Sequence, residues 1–190
     1  MTRLIGVSGS LRRGSCNTAL LRAAALLRAA AGRMPAGASL EVATTHGIPL
    51  SDGDLEAAEG IPAAVAAPKE RIAGADGLLL VAPEYDNAIP RPFKNVIDWL
   101  SRPAGDIGRV FGGRPVAVIG ASMGGFGTIL AQDAWLPVLR TSGTRPCFGG
   151  RLMVSRARGA FDAAGALTDA GIAAHPGTFL EGFVAHCRGR

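Results

Sequence analysis

The feature that most constrains this chain is one event repeated along it: a short apolar run breaks at a loop rich in Gly, Pro or hydroxyl residues, and a helical pattern follows. Residues 4–8 (LIGVS) give way to a loop at 9–17 and then to an alanine- and leucine-rich stretch, predicting a helix over 17–31. A second strand is expected at 40–44, followed by a polar loop through Asp52, Asp54 and Gly60 and a helix over 62–73. Residues 77–82 (GLLLVA) form a continuous apolar run, as a strand covered on both faces requires, and lead through Pro83 to a helix over 92–100. Residues 115–119 (PVAVI) repeat the pattern, with a Gly-rich loop at 120–127 and a helix reaching about 139. A last strand fits 152–155 and a closing helix fits 178–187, whereas 158–177, rich in Ala and Gly, reads as loosely structured.

Such alternation implies an α/β fold: a five-stranded, doubly wound parallel sheet with helices on both faces, a three-layer sandwich. Ligands on that architecture bind beyond the carboxyl ends of the strands. A length of 190 residues with 48% hydrophobic content fits a single domain spanning 1–190. The chain has no apolar run of membrane-spanning length and enters a strand pattern within four residues, so a cytoplasmic protein without membrane contact is expected.

Composition excludes several functions. The net charge is +5, but the 20 Lys and Arg are scattered, Arg12–Arg13 is the one adjacent basic pair, and aromatic content is 5%. No nucleic-acid partner is expected. Cys16, Cys147 and Cys187 lack metal or dithiol spacing, and His46, His175 and His186 stand alone, so no metal site is expected.

Three segments carry the chemistry. The loop GSLRRGSCNT at 9–18 concentrates Ser10, Ser15, Thr18, Arg12, Arg13 and Asn17 between a strand end and a helix start, where unsatisfied N–H groups and a positive dipole suit a phosphate. Its alternative is a helix cap, by Ser15 or Asn17, with a solvated basic turn. It is neither a Walker A loop nor G-x-G-x-x-G. The segment 83–100 (PEYDNAIPRPFKNVIDWL) stiffens a strand end with Pro83 and Pro90 and offers the aromatic face of Tyr85 to a planar ring. The loop GASMGGFGT at 120–128 permits close backbone approach, with Ser122 placed for contact. It also matches the G-x-S-x-G nucleophile elbow, with Asp133, Asp162 or Asp169 and then His175 or His186 in the order a serine hydrolase requires.

With GSLRRGSCN, EGIPAAV at 59–65, ADGLLLVAPEYDNAIPRPFKNVIDWLSR at 75–102 and ASMGGFG at 121–127 in one order, the chain resembles the flavodoxin-like NADPH-dependent FMN reductases, in particular bacterial chromate and quinone reductases. The resemblance implies a flavodoxin-like fold and FMN as cofactor, its phosphate held by Ser10, Arg12, Ser15 and Asn17 with Cys16 alongside. It implies that Pro83, Glu84, Tyr85, Asp86 and Asn87 border the isoalloxazine and that Ser122, Met123 and Gly124 complete the pocket. NADPH or NADH would reduce the flavin at N5, and a small-molecule acceptor such as a quinone, free flavin or chromate would reoxidise it in ping-pong turnover, with no side-chain nucleophile. An electron carrier of flavodoxin type is the alternative of another class. Homodimers are implied, with tetramers in reach, although the arginine common after the third motif is missing from Thr128, Ile129 and Leu130. The usual Pro-Glu-Tyr-Asn reads Pro-Glu-Tyr-Asp, which puts the charge of Asp86 near the ring and predicts a lower flavin potential.

Overall fold

A computed structural model describes residues 1–30 and 34–189, with backbone alone for 26–30. Its sheet contains β1 (Thr2–Ser8), β2 (Ala38–Thr44), β3 (Gly77–Val81), β4 (Pro115–Ala121) and β5 (Arg145–Pro146), with β6 (Met153–Val154) also paired to β4. The order β2-β1-β3-β4-β5 is parallel throughout, which is the flavodoxin-like order. The helices are α1 (Cys16–Ala30), α2 (Gly53–Glu59), α3 (Ala63–Ala73), α4 (Arg91–Leu100), α5 (Ile107–Val110), α6 (Ile129–Thr141), α7 (Ala170–Ala173) and α8 (His175–Arg188). None of the described helices is long and apolar enough to cross a membrane.

The apolar run of β3 is explained by two cores. Leu79 and Val81 join Leu20, Leu21, Ala117, Ile119 and Phe183 on the side of α1 and α8. Leu78 and Leu80 join Val65, Ile72, Phe93, Trp99 and Trp135 on the side of α3, α4 and α6. Every residue of the strand is therefore buried, since successive side chains point to opposite, covered faces.

The structure alters the sequence reading in three places and leaves one untested. The end of the first helix at 31 lies outside the described residues. The polar loop after β2 contains α2, which Asp52 caps by accepting from the N–H groups of Asp54 and Leu55. The last strand is split: Arg145–Pro146 pairs with the start of β4 and Met153–Val154 with its end, and residues 147–152 detour between them. Pro146, which lacks an N–H, and the Gly149–Gly150 pair account for the break. The segment 158–177 is built rather than loose: Phe161 and Leu167 form a bridge, Asp162 accepts from the N–H of Ala166 at 2.8 Å, and Asp169 caps α7 through the N–H of Ile172.

Candidate functional site

The first loop leaves β1 at Gly9, whose N–H donates to the Val81 carbonyl of the neighbouring strand. A Cβ on Gly9 would lie 2.1 Å from the Phe93 ring, so a side chain here cannot coexist with α4 in its place. Ser15 is the helix cap, its Oγ accepting from the N–H of Thr18 at 3.2 Å. The cap and ligand readings are compatible, because the Ser15 hydroxyl still has its own proton to donate. Thr18 itself turns inward, its hydroxyl 2.7 Å from that of Ser8. The backbone N–H groups of Leu11, Arg13, Gly14 and Ser15 meet no acceptor among the described residues, while that of Arg12 reaches Ser10 Oγ at 3.4 Å. His46 bonds the Leu11 carbonyl at 3.1 Å and steadies the loop from the end of β2.

The second loop follows β3. Tyr85 and Ala88 bond each other across a two-residue turn in which Asp86 and Asn87 hold φ of 49° and 60°. Positive φ at both central positions defines the tight hairpin of type I′, and Asp and Asn are among the few residues with side chains that accept it. The turn presents Tyr85, which is 45% exposed. Glu84 points elsewhere. Its Oε2 accepts from the N–H of Ala131 at 2.9 Å, in the first turn of α6, where the cap residue Thr128 makes no capping side-chain bond.

The third loop begins at the end of β4. Gly120 is required by crowding, since a Cβ would sit 2.2 Å from the Ala82 carbonyl oxygen. Ser122 Oγ accepts from the N–H of Gly124 at 3.1 Å. Asn17 bridges from α1: its Nδ2 donates to the Ala121 carbonyl and its Oδ1 accepts from the Ala121 N–H. One of its amide protons therefore remains for a ligand. The segment after β6 staples the loop from outside, with the N–H groups of Arg156 and Ala157 donating to the carbonyls of Gly124 and Ser122.

These loops meet in one cleft of about 150 Å³. Ser10, Arg12, Ser15, Cys16 and Asn17 line it from the first loop, Pro83, Glu84 and Tyr85 from the second, and Ser122 and Met123 from the third. Of the residues singled out by sequence, Asp86, Asn87 and Gly124 do not line the cleft; the first two form the turn beyond Tyr85. Ala121 joins the lining without a sequence signal, because its part is played by backbone alone. His46 and Arg156 were also unforeseen: one is a lone histidine and the other a lone arginine, brought here by tertiary contacts. A larger groove of about 430 Å³ lies between α6 and the split fifth strand, but its walls, including Val118, Leu130, Leu136 and Phe148, are mostly apolar. Convergent polar groups, not size, make the smaller cleft the candidate site.

The nucleophile elbow is not formed. Such a serine sits on a strained turn directly ahead of a helix. Ser122 lacks positive φ, α6 starts seven residues later at Ile129, and its hydroxyl meets no histidine among the described residues. His186 instead bonds the Arg145 carbonyl at 3.3 Å.

Comparison with known proteins agrees with the fold. The family description for NADPH-dependent FMN reductases matches residues 2–159. An NAD(P)H-dependent FMN reductase of Pseudomonas aeruginosa is 42% identical over 167 residues, covering 88% of this chain and 85% of that protein. A quinone reductase of Escherichia coli K12 is 39% identical over 130 residues, covering 68% of this chain and 65% of that one. Among solved structures, the flavoenzyme NAD(P)H:(acceptor) oxidoreductase FerB of Paracoccus denitrificans superposes with a TM-score of 0.80 at 32% identity, over 99% of this chain and 98% of its own.

Proposed function

The chain belongs to the NADPH-dependent FMN reductase family and is an NAD(P)H-dependent FMN oxidoreductase; from that premise we propose that the cleft at the ends of β1, β3 and β4 is its active site and that quinones are its acceptors. The observation that carries this reading is the convergence of three loops on one cleft with donors on one side and an aromatic face on the other. The donor set fits a phosphate monoester: unpaired N–H groups of the first loop, the hydroxyls of Ser10 and Ser15, and the Arg12 guanidinium, all beside the start of α1.

In this reading Ser10, Arg12, Ser15 and the remaining amide proton of Asn17 bind the FMN phosphate. Cys16 packs beside it. Pro83, Glu84, Tyr85, Ser122 and Met123 border the flavin ring, with Tyr85 and Met123 at the open side, where they are 45% and 48% exposed, and Asp86, Asn87 and Gly124 stand just beyond them. Bound FMN supplies acceptance of a hydride from NAD(P)H and reduction of the acceptor, so no side chain serves as a nucleophile. The protein's part is to hold and orient the ring while leaving one side open to reactants that take turns. Free flavin and chromate are further acceptors such an open site admits.

We further propose that residues 1–190 act as one unit, in the cytoplasm, as a homodimer. Ile129, Leu130 and Leu136 are 40–41% exposed on α6, next to Phe126 at 77%, and form an apolar stripe beside the cleft. A second copy covering that stripe would also shelter the flavin site.

The test is direct. Purified protein incubated with FMN and desalted is expected to be yellow, and to oxidise NADPH or NADH when a benzoquinone is added. Colourless protein with no such turnover would refute the assignment. An electron carrier of flavodoxin type would keep its flavin oxidised on anaerobic mixing with NADPH, so bleaching of the visible band separates the two.

A further inference from the structure

Three described residues other than glycine hold positive φ: Asp86, Asn87 and Arg156, the last at 47°. Asp and Asn enter this region through local hydrogen bonding; an arginine gains nothing there by itself. Its conformation is imposed by neighbours, which is the situation in which an outlier points to function.

The neighbours are the third loop of the cleft. The Arg156 N–H donates to the Gly124 carbonyl at 2.9 Å, the Ala157 N–H to the Ser122 carbonyl at 3.0 Å, and the Ser122 N–H returns to the Val154 carbonyl at 2.9 Å. This bend throws the Arg156 side chain over Gly125, where an Nη2 atom lies 4.0 Å from the position a Cβ would occupy. The Cys16 thiol reaches the Ala157 carbonyl at 3.8 Å, so the bend also abuts the start of α1. Arg156 is exposed, and no carboxylate lies within ion-pair reach of it among the described residues. A planar fork of donors without an ion-pair partner therefore stands over the third loop, whose Ser122 and Met123 line the cleft.

We propose that Arg156 binds a phosphate group of the NAD(P)H co-substrate and so acts as a specificity-determining residue; the proposal rests on the active-site reading above. The FMN phosphate is already matched by the first loop, with its own cation in Arg12. Arg156 is held instead by the third loop, through the Gly124 carbonyl. A neutral quinone offers a guanidinium nothing, whereas the dinucleotide brings a pyrophosphate and, in NADPH, a further dianionic 2′-phosphate. Guanidinium binds such groups through two parallel charge-assisted hydrogen bonds. Glycine at this position would keep the bend and remove the charge, and lysine would keep the charge but not the fork.

The experiment uses FMN-loaded wild type, Arg156→Gly and Arg156→Lys, with a benzoquinone as acceptor and calorimetric titration of NADP⁺ and NAD⁺ onto the oxidised proteins. Arg156→Gly is expected to raise KM for NADPH about tenfold and to weaken NADP⁺ binding by a similar factor, with the loss in KM rather than kcat. Arg156→Lys should recover part of it. A rise confined to NADPH identifies the 2′-phosphate as the group bound, and an equal rise with NADH identifies the pyrophosphate. Unchanged KM and NADP⁺ affinity in fully loaded Arg156→Gly overturns the proposal. So does loss of FMN from that variant, which would assign the arginine to the cofactor. A wild type that takes up no FMN defeats the underlying active-site reading instead, and the two failures are told apart by its colour.

Discussion

Asn17 and Ala121 are joined by two buried hydrogen bonds of 2.8 Å each, the carboxamide of one mimicking a strand edge for the backbone of the other. The pair ties the first turn of α1 to the last residue of β4 and so fixes the spacing of two cleft walls. Asn17→Ala would leave a buried N–H and a buried carbonyl unpaired, a loss of about 2–4 kcal/mol. Asn17→Asp keeps the acceptor but sets a carboxylate against the Ala121 carbonyl and beside the phosphate loop. Both variants are expected to lower the urea midpoint and to retain less FMN after desalting, Asn17→Asp the less of the two. An Asn17→Ala midpoint equal to wild type would show that the bridge is not structural.

Glu84 performs for α6 what Thr128 does not, accepting from the N–H of Ala131 at 2.9 Å. Removing the acceptor with Glu84→Ala should cost about 1 kcal/mol, which lowers Tm by about 2–4 °C in a chain of this size. Glu84→Gln retains the hydrogen bond and loses only the attraction of charge to helix dipole, about 0.3–1 kcal/mol at low salt. Thermal melts at low and high salt check this: the Gln deficit should shrink with salt and the Ala deficit should persist in large part.

Three loop glycines should rank by what a methyl group meets. At Gly120 it meets the Ala82 carbonyl oxygen at 2.2 Å, on backbone whose N–H is bonded to Ile119. At Gly9 it meets the Phe93 ring at 2.1 Å, and that ring is held edge-on to Trp135 with centroids 5.0 Å apart. At Gly14 it meets nothing within 4 Å. Gly120→Ala is expected to be the most destabilising, Gly9→Ala next at about 1–3 kcal/mol, and Gly14→Ala neutral or stabilising by up to about 1 kcal/mol. Chemical denaturation of the three variants checks the order, and a Gly14→Ala protein as unstable as Gly120→Ala would contradict the packing account.

What the sequence could reveal was whatever local pattern determines. The run GLLLVA had to be a doubly covered strand in a parallel sheet, while its neighbours, β1 and β4, were supplied by the structure. The loop at 9–17 announced itself because its donors are contiguous in the chain. Residues whose place depends on distant partners left no such trace. Glu84 was read beside the ring from its motif and does line the cleft; only the fold shows its carboxylate also reaching α6, 47 residues on. Asn17 stood out as a polar residue of the first loop, but its second task, the bridge to Ala121 104 residues away, left no trace in the sequence. Arg156 lies past the last recognisable motif, and only the splitting of the fifth strand carries it to the third loop. The turn at Asp86–Asn87 was legible in principle, since adjacent Asp and Asn after a strand are a hairpin signal.

Acid sensitivity should come from a charge cluster none of whose members lines the cleft. Lys69 is 4% exposed, donates to the Arg102 carbonyl and pairs with Asp106 at 2.6 Å, and Arg109 joins Asp106 to Glu70. Hydrogen bonding to Lys69, then to Arg109, holds the Asp106 carboxyl below its ordinary range, and Arg109 does the same for Glu70. A group whose folded pKa is depressed stabilises above its unfolded pKa, about 4 for these carboxyls, and loses that contribution as pH falls through the folded value. Wild type should therefore lose stability as pH drops below about 4. Asp106→Asn should be less stable than wild type at pH 7, with the gap closing in acid. Urea midpoints measured across that range check it; a gap constant with pH would remove Asp106 from the account.

Asp86 permits a test of electrostatics almost free of structural change. It is exposed, with φ of 49°, at the first central position of the turn that presents Tyr85. Asn adopts that conformation as readily, so Asp86→Asn should leave Tm unchanged. It removes one negative charge near the proposed position of the flavin ring. An exposed charge acts through high dielectric, and an effect of roughly 0.5–1.5 kcal/mol, about 10–30 mV for a two-electron couple, is the expected scale. The midpoint potential should rise by that amount at low salt, and the difference should shrink at high salt as screening shortens the range of the charge. Anaerobic redox titration of both proteins at two ionic strengths makes the measurement. An unchanged potential would place the Asp86 carboxylate too far from the ring to tune it, whereas a lowered one would reverse the sign of the argument.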